Sequence, residues 1–80
     1  MDEYAVIVRR GGIGMVRERA YTPEQAAAAF TRAIDQLQAR GFGGAFMTTA
    51  GIVHLWKRVG WKRVHVQVYL ERQSMPFSLN

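Results

Sequence analysis

The sequence predicts a small α+β protein: an antiparallel sheet in the chain order β-β-α-β-β-β, with one helix packed on one face. Three observations predict this fold. Runs of β-branched and aromatic residues end at glycines, as expected of strands joined by tight turns. An alanine-rich segment has apolar residues at helical spacing and begins with a helix-capping pattern. The segment WKRVGWKRV, residues 56–64, repeats a four-residue unit about one glycine, which is typical of a hairpin.

The first two predicted strands form one hairpin. Residues 4–10 are apolar on both faces, which indicates a strand in the interior of the sheet. Residues 13–21 follow as the second strand, and Gly11 and Gly12 can adopt the positive φ angles of a tight turn. Because strand-like residues follow these glycines, the segment does not predict a phosphate-binding loop at a helix N-terminus.

The helix has clear start and stop signals. Thr22 is predicted as the N-cap, Pro23 as the first helical residue, and Gln25 as the residue that closes a capping box. The helix should run to Arg40 and end at Gly41. Its apolar stripe, which is predicted to face the sheet, comprises Ala26, Phe30, Ala33, Ile34 and Leu37.

Three strands follow the helix. Residues 42–49 are predicted as a strand whose two glycines indicate a bulge or the close approach of the helix or another backbone. In the final hairpin, Val59 and Gly60 are predicted as the loop residues. The resulting cross-strand pairs are Arg58 with Trp61, Trp56 with Arg63, His54 with His65 and Ile52 with Gln67. The tail, residues 73–80, lacks periodicity and contains Pro76, so we expect irregular structure there.

The final hairpin is predicted to have two different sides. Because side chains alternate between the faces of a strand, one side carries its tryptophans, arginines and histidines. The other side is apolar apart from Lys57 and Lys62 near the tip. Exposed tryptophan is unfavourable unless a partner covers it, so the first side is the predicted binding surface. Some of Arg9, Arg17 and Arg19 are expected to join it.

Length and composition limit the possible functions. Eighty residues form a single domain, 1–80, with a modest core and no room for a buried enzyme cleft with its supporting residues. The formal charge of +5 favours a polyanion or an acidic protein as the partner. A GC-rich genome could also supply the arginines without any such partner. The absence of cysteine and of a long apolar run argues against disulfides, export and membrane insertion, so we expect a cytoplasmic protein.

The residues do not predict an enzyme, a cofactor or a metal site. The six acidic residues are dispersed along the chain and suggest no convergent carboxylate pair. His54 and His65 are expected to be neighbours, but no third zinc ligand is evident. Ser74 and Ser78 lie far in sequence from any histidine, so no nucleophilic triad is predicted.

Three interpretations of the tryptophan and arginine side remain open. It could anchor a protein interface, which the sequence favours, or bind nucleic acid by neutralising phosphates and stacking bases. It could instead consist of cation-π pairs, Trp56 with Arg63 and Trp61 with Arg58, that only stabilise the hairpin. Edge strands also allow homodimerisation by strand pairing.

The layout resembles one group of small anti-CRISPR proteins of phages or mobile elements, which inhibit type I (Cascade) surveillance complexes. The likeness lies in YAVIVRR, the helix start TPEQA, the segment FGGAFMTTA and the hairpin GIVHLWKRVGWKRVHVQ, as a pattern of elements over residues 4–69. The resemblance implies a non-enzymatic inhibitor, acting in the host cytoplasm, that binds the crRNA-carrying backbone of the complex and stops target DNA from hybridising. Basic members of such a group would also touch nucleic acid. The partner-binding residues that it implies are Arg17, Arg19, Trp56, Lys57, Arg58, Trp61, Lys62 and Arg63.

Overall fold

The computed structural model describes residues 2–74 and has an α+β fold. The elements follow the predicted order: β1 (Asp2–Arg10), β2 (Ile13–Ala20), α1 (Pro23–Ala39), β3 (Gly43–Met47), β4 (Val53–Val59) and β5 (Lys62–Ser74). The five strands form one antiparallel sheet in the order β2-β1-β5-β4-β3. The strand order, which the sequence left open, places β5 in the centre and makes β2 and β3 the edges. β5 includes residues 73 and 74, whereas the rest of the predicted irregular tail lies outside the described residues.

The first hairpin forms as predicted. β1 has a hydrogen-bonded neighbour on each side, and its residues Ala5, Val6 and Ile7 are buried. This agrees with its apolar character on both faces. Gly11 and Gly12 have φ angles of 60° and 82°, which is the pattern of a type I′ turn between strands.

The start of α1 confirms the predicted N-cap. The Thr22 hydroxyl oxygen accepts a hydrogen bond from the backbone N–H of Gln25 at 3.1 Å, and Pro23 is the first helical residue. The Gln25 side chain accepts from the backbone N–H of Tyr21 at 3.2 Å. In a capping box the donor of this second bond is the backbone N–H of the N-cap residue, which is Thr22 here. The donor is instead the N–H of Tyr21, one residue earlier. The bond from Gln25 satisfies one of the unpaired N–H groups of the first helical turn, and the bond from Tyr21 ties the residue before the cap to the helix.

The cap gives a first testable prediction. Thr22→Ala should lower the free energy of unfolding by about 1 kcal/mol, because the substitution leaves the Gln25 N–H without its side-chain acceptor. Urea unfolding followed by circular dichroism measures the change. Thr22→Ser keeps the hydroxyl and should remain close to the wild type; equal losses in both variants would contradict the capping role.

The end of α1 explains the position of Phe42. The N–H of Phe42 donates to the Leu37 carbonyl at 3.1 Å and the N–H of Gly41 donates to the Gln38 carbonyl at 3.0 Å, which is the bond pair of a Schellman motif. Gly41 takes the left-handed conformation that the motif requires, with φ of 98°. Phe42 and Leu37 then belong to the same buried cluster, so the cap connects the end of the helix to the core.

The core joins the helix to the strands. Of the predicted stripe, Ala33 and Leu37 belong to this cluster together with Ala29, and Phe30 and Ile34 pack against its border. The alternation of strand residues places the sheet members on one side of β1, β5 and β4. The buried cluster comprises Val6, Ala29, Ala33, Leu37, Phe42, Val53, Leu55, Val66 and Val68.

The prediction that Val59 and Gly60 form the loop of the β4–β5 hairpin is wrong by one residue. The loop consists of Gly60 and Trp61, so Arg58 pairs with Arg63 and Val59 with Lys62. Gly60 has φ of 63°, and a positive φ at the first loop position alone is the pattern of a type II′ turn. The predicted loop would have placed the β-branched Val59 at that strained position. Other pairs change accordingly, with Trp56 opposite His65 and His54 opposite Gln67.

The predicted irregularity in β3 is confirmed. The register between β3 and β4 shifts between Gly43 and Phe46. Gly44, inside this shift, has φ of 66°, and an added Cβ atom there would lie 2.3 Å from Nε1 of Trp56. Glycine at this position therefore allows the Trp56 indole to lie directly against the backbone of the edge strand.

Candidate functional site

Aromatic and basic side chains lie together on the side of the sheet away from the core cluster. In β4, these residues alternate with the buried Val53 and Leu55, and in β5 they alternate with Val64 and Val66. The one-residue error in the loop preserves this alternation, so the structure brings the residues together on the side that the sequence predicts. We call this surface the basic aromatic face, defined by Phe46, His54, Trp56, Arg58, Arg63 and His65.

Trp56 lies at the centre of the basic aromatic face. Its indole lies over Gly44, and the Arg63 guanidinium carbon is 5.0 Å from the ring centroid. The residue remains 37% exposed despite these contacts. The cation-π pair of Trp56 with Arg63 is therefore present, and it holds the indole in one orientation while leaving part of it accessible.

Phe46 is a member of the face that sequence reasoning missed. It is the direct partner of His54 across β3 and β4, and the two rings are stacked with centroids 5.1 Å apart and planes 11° apart. Phe46 is 60% exposed. Simple alternation would place Phe46 on the same side as Phe42, which is buried in the core; the register shift between Gly43 and Phe46 places it on the other side, next to His54.

Trp61 lies in the loop at the tip of the hairpin and is not one of the paired residues of β4 and β5. It is the second loop residue and is 83% exposed. The predicted contact of Trp61 with Arg58 is not formed; instead the Lys62 ammonium lies 5.1 Å from the Trp61 ring centroid. Trp61 therefore extends the aromatic surface beyond the edge of the face, next to a cation.

Lys57 lies on the core side of the hairpin. Its ammonium donates to the Arg40 carbonyl at the end of α1 at 3.3 Å and lies 4.8 Å from the centroid of the Phe42 ring. Both contacts are to the helix C-terminal cap, which carries partial negative charge. Lys57 therefore stabilises the junction between helix and sheet, while Lys62 alternates to the same side nearer the tip.

The structure separates Arg17 and Arg19 from the hairpin. Arg17 lies at the β2 bulge opposite β1, and its Nε donates to Gln36 Oε1 of the helix at 3.1 Å. Arg19 pairs with Glu3 at 2.5 Å, at the other end of the sheet. Neither residue is part of the basic aromatic face. Arg17 lies on the same side of β2 as Met15, the partner of the core-side Val8, and the strand order places Arg19 two strands from the hairpin.

Charge is divided unevenly along the molecule. The segment 36–70, which contains β3, β4 and most of β5, has no aspartate or glutamate. Among the described residues, the ion pairs lie elsewhere: Arg19 with Glu3, Arg32 with Glu18, and Arg72 with Asp2. The hydrogen bond and the charge of Asp2 raise the pKa of Arg72. The cations of the basic aromatic face have no such acidic partner within residues 2–74.

The two histidines of the face are not direct cross-strand partners. His54 is opposite Gln67 and His65 is opposite Trp56, so the predicted pairing of His54 with His65 is wrong. Residues 2–74 contain no group of three or more metal-ligating side chains close enough to hold an ion. No helix in the same part of the chain combines the length and the apolar character needed to cross a membrane.

Comparison with known proteins provides no relative to name. No protein family, no curated protein and no solved structure matches this chain. The basic aromatic face is therefore the basis for assigning a function.

Proposed function

We propose that this protein is a non-enzymatic binding protein that uses the basic aromatic face to occupy a polyanionic surface of a nucleoprotein complex. The observation that carries the proposal is the concentration of arginines and exposed rings on one sheet surface, in a segment without acidic residues. The proposal takes α1 to cover only the other side of the sheet, so that the face is free for its partner.

The pairing of two arginines favours an anionic partner. Arg58 and Arg63 are directly opposite each other on β4 and β5, an arrangement that brings Cβ atoms to about 4.5–5.5 Å and is unfavourable for like charges. A phosphate or carboxylate bound between the guanidinium groups would remove this repulsion. Arginine also binds such groups with two parallel hydrogen bonds, which gives geometric specificity as well as affinity.

The rings suit a partner that offers flat or apolar groups beside its charges. Trp56 is already held by Gly44 and Arg63, so little freedom remains to be lost when a partner covers it. Tryptophan and arginine in such a preorganised arrangement are typical anchors of protein interfaces. A nucleoprotein surface presents both protein groups and phosphates, which suit the rings and the arginines of the face respectively.

The resemblance to anti-CRISPR proteins gives this proposal a specific target. That target is a type I surveillance complex, where the protein would cover the crRNA-carrying backbone subunits and prevent target DNA from pairing. Of the residues implied by the resemblance, Trp56, Arg58 and Arg63 lie on the face and Trp61 adjoins it at the tip, whereas Lys57 and Lys62 lie on the core side of the hairpin. The support for this target is the resemblance in the pattern of elements together with the charge and aromatic content of the face.

Direct binding of free single-stranded nucleic acid is a second candidate. The stacked pair of Phe46 and His54 favours it, because Phe46 is largely exposed on the same surface as the arginines. Each base stacked on an aromatic side chain contributes about 1–3 kcal/mol and requires no particular sequence. The two candidates differ in their salt response, since binding through phosphates weakens steeply as the salt concentration rises.

The test is a binding measurement with two targets. The purified protein is titrated against a type I surveillance complex and against single- and double-stranded DNA, at low and moderate salt. Trp56→Ala/Arg63→Ala should weaken binding by about tenfold or more, because it removes a stacking surface and a phosphate contact. Arg17→Ala is the control for loss of positive charge and should bind like the wild type, since Arg17 contacts the helix.

The outcomes separate the candidates. Tight binding to the complex that persists at moderate salt and blocks DNA capture would support the inhibitor. Salt-sensitive binding to free single strands alone would support the second candidate. Equal effects of the double variant and Arg17→Ala would show that net charge, and not the face, determines binding. If no target binds, the proposal of a nucleoprotein partner is wrong.

Homodimerisation, which the sequence allows, would use another surface. The edge strand β2 exposes Ile13, Met15 and Val16, and part of this strand borders an apolar cleft of about 690 Å³. A dimer formed by pairing of β2 strands would leave the basic aromatic face accessible. Light scattering of the same samples, over the concentrations of the binding assays, measures whether such a dimer forms.

A further inference from the structure

We propose that a polar pocket at the border of the basic aromatic face binds a phosphate group of a single-stranded nucleic acid. The pocket has a volume of about 350 Å³ and is lined by Arg9, Gly11, Gly12, His65 and Gln67. This inference rests on the second candidate of the proposed function, direct binding of single-stranded nucleic acid, because it names the chemical group that the face recognises. It adds a residue of β1, Arg9, and the first hairpin turn to a surface otherwise built by β3, β4 and β5.

The sheet topology creates the pocket. Arg9 and Gln67 are the last pair of the ladder between β1 and β5, and beyond this point β1 turns away through Gly11 and Gly12. β5 extends past the end of the ladder to His65 and Arg63, which pair only with β4. A gap therefore opens beside His65, with strand β5 as its floor and the glycine turn as its wall.

The lining provides hydrogen-bond donors that have no partner among the described residues. Among residues 2–74, the side chains of Arg9, His65 and Gln67 take part in no hydrogen bond or ion pair, whereas Arg19, Arg32 and Arg72 are all paired with acids. None of the described residues that line the pocket is acidic. A guanidinium, an imidazole and an amide directed at one space form a set suited to an oxyanion.

The glycine turn suits a close approach by the anion. A Cβ atom added at Gly11 or Gly12 would meet nothing within 4 Å, so the backbone there is open to a ligand. Phosphate oxygens commonly approach backbone N–H groups where side chains are absent. The turn therefore supplies access, while Arg9 supplies the charge.

The position of the pocket indicates which phosphate it binds. His65 is the direct partner of Trp56 across β5 and β4, so the pocket begins about one strand spacing, roughly 4.8 Å, from the strand that carries the central indole. A base that stacks on Trp56 would have its own backbone close to the pocket. Stacking requires an unpaired base, so the ligand is a single strand, and the arginines pair with successive phosphates.

Two neighbouring arginines provide a matched test. Arg9 lines the polar pocket, whereas Arg10 lines the apolar cleft on the opposite side of the sheet. Both are exposed, and each alanine variant removes one positive charge from the same turn. Any difference between Arg9→Ala and Arg10→Ala therefore reports on the pocket rather than on net charge or on the stability of the hairpin.

The first measurement uses inorganic phosphate as the probe. In two-dimensional nitrogen–proton NMR spectra, phosphate should shift the backbone amide signals of Gly11, Gly12 and His65. The shifts should disappear in Arg9→Ala and persist in Arg10→Ala.

The second measurement uses a single-stranded deoxythymidine oligonucleotide of about ten nucleotides. Arg9→Ala should reduce the slope of log affinity against log salt by about 0.7, the value expected for one lost phosphate contact on a single strand, and Arg10→Ala should not.

The two measurements separate failure of the pocket from failure of the proposed function. Amide shifts with phosphate that depend on Arg9, without binding of the oligonucleotide, would support the anion site and overturn its assignment to a nucleic-acid strand. Oligonucleotide binding with the same salt slope in both variants would overturn the pocket while leaving the basic aromatic face in place. Displacement of phosphate by an acidic peptide at lower concentrations than by the oligonucleotide would overturn the assignment to nucleic acid and indicate a carboxylate ligand.

Discussion

Leu55→Ala is expected to lower the free energy of unfolding by about 2–5 kcal/mol, the range measured for removal of a buried leucine side chain. Leu55 is 1% exposed and belongs to the cluster that joins β4 and β5 to the helix. Truncation would leave a cavity between its cross-strand partner Val66 and the helix residues of the cluster. Domains of this size are stable by only about 5–15 kcal/mol, so the loss is a large part of the total.

Chemical denaturation with urea measures this effect. Leu70→Ala is the matched control, because Leu70 lies on the same side of β5 but is 39% exposed, opposite Val6. We expect its loss to be well under half that of Leu55→Ala, since much of its side chain is in water in the folded state. Similar losses at both positions would mean that Leu55 is not at the centre of the core.

Gly44→Ala is expected to have the second largest effect, and it should act on both stability and binding. A non-glycine residue in the left-handed region costs about 1–3 kcal/mol, and Gly44 has φ of 66°. The new methyl group would also lie 2.3 Å from Nε1 of Trp56, so the indole must move away from β3. Displacement of the central ring should weaken binding of any partner at the basic aromatic face.

Fluorescence and binding measurements test this prediction. In a Trp61→Phe background, the emission of Trp56 alone reports on its surroundings and should shift to longer wavelength in Gly44→Ala. Gly43→Ala is the control, because a Cβ atom at Gly43 would meet nothing within 4 Å and its φ is not positive. If Gly44→Ala keeps the emission and affinity of the control, the indole does not depend on the glycine for its position.

The sequence predicted the sides of the final hairpin correctly although it predicted the loop wrongly. Moving the two-residue loop by one position changes every cross-strand pair but keeps each side chain on the same face, because both strands retain their alternation. The tryptophan and arginine side was therefore predictable. The cross-strand pairs on that side were not predictable, because they depend on which residue takes the positive φ angle of the turn, and this is Gly60 rather than Val59.

Alternation failed where the strand is irregular. Arg17 and Arg19 were expected together beside the hairpin arginines, but the register of β2 against β1 shifts between Val6 and Ile7. Arg17 lies on the same side of β2 as Met15 and contacts Gln36 of the helix, whereas the bulge moves Arg19 to the other side, opposite Ala5. A single extra residue reverses the face of a side chain, and nothing in the local sequence of β2 indicates where that residue is inserted.

The sequence by itself determined the features that depend on neighbouring residues: the order of elements, the two ends of the helix, and the alternation of apolar and basic residues in the last hairpin. These follow from caps, glycines and side-chain period, which act within a few residues. Only the tertiary structure decided which distant residues meet. It brings Phe46 to His54 through the pairing of β3 with β4, and Arg9 to His65 through the central position of β5. Strand order depends on packing over the whole sheet, so neither the full basic aromatic face nor the adjoining pocket could be assembled from local patterns.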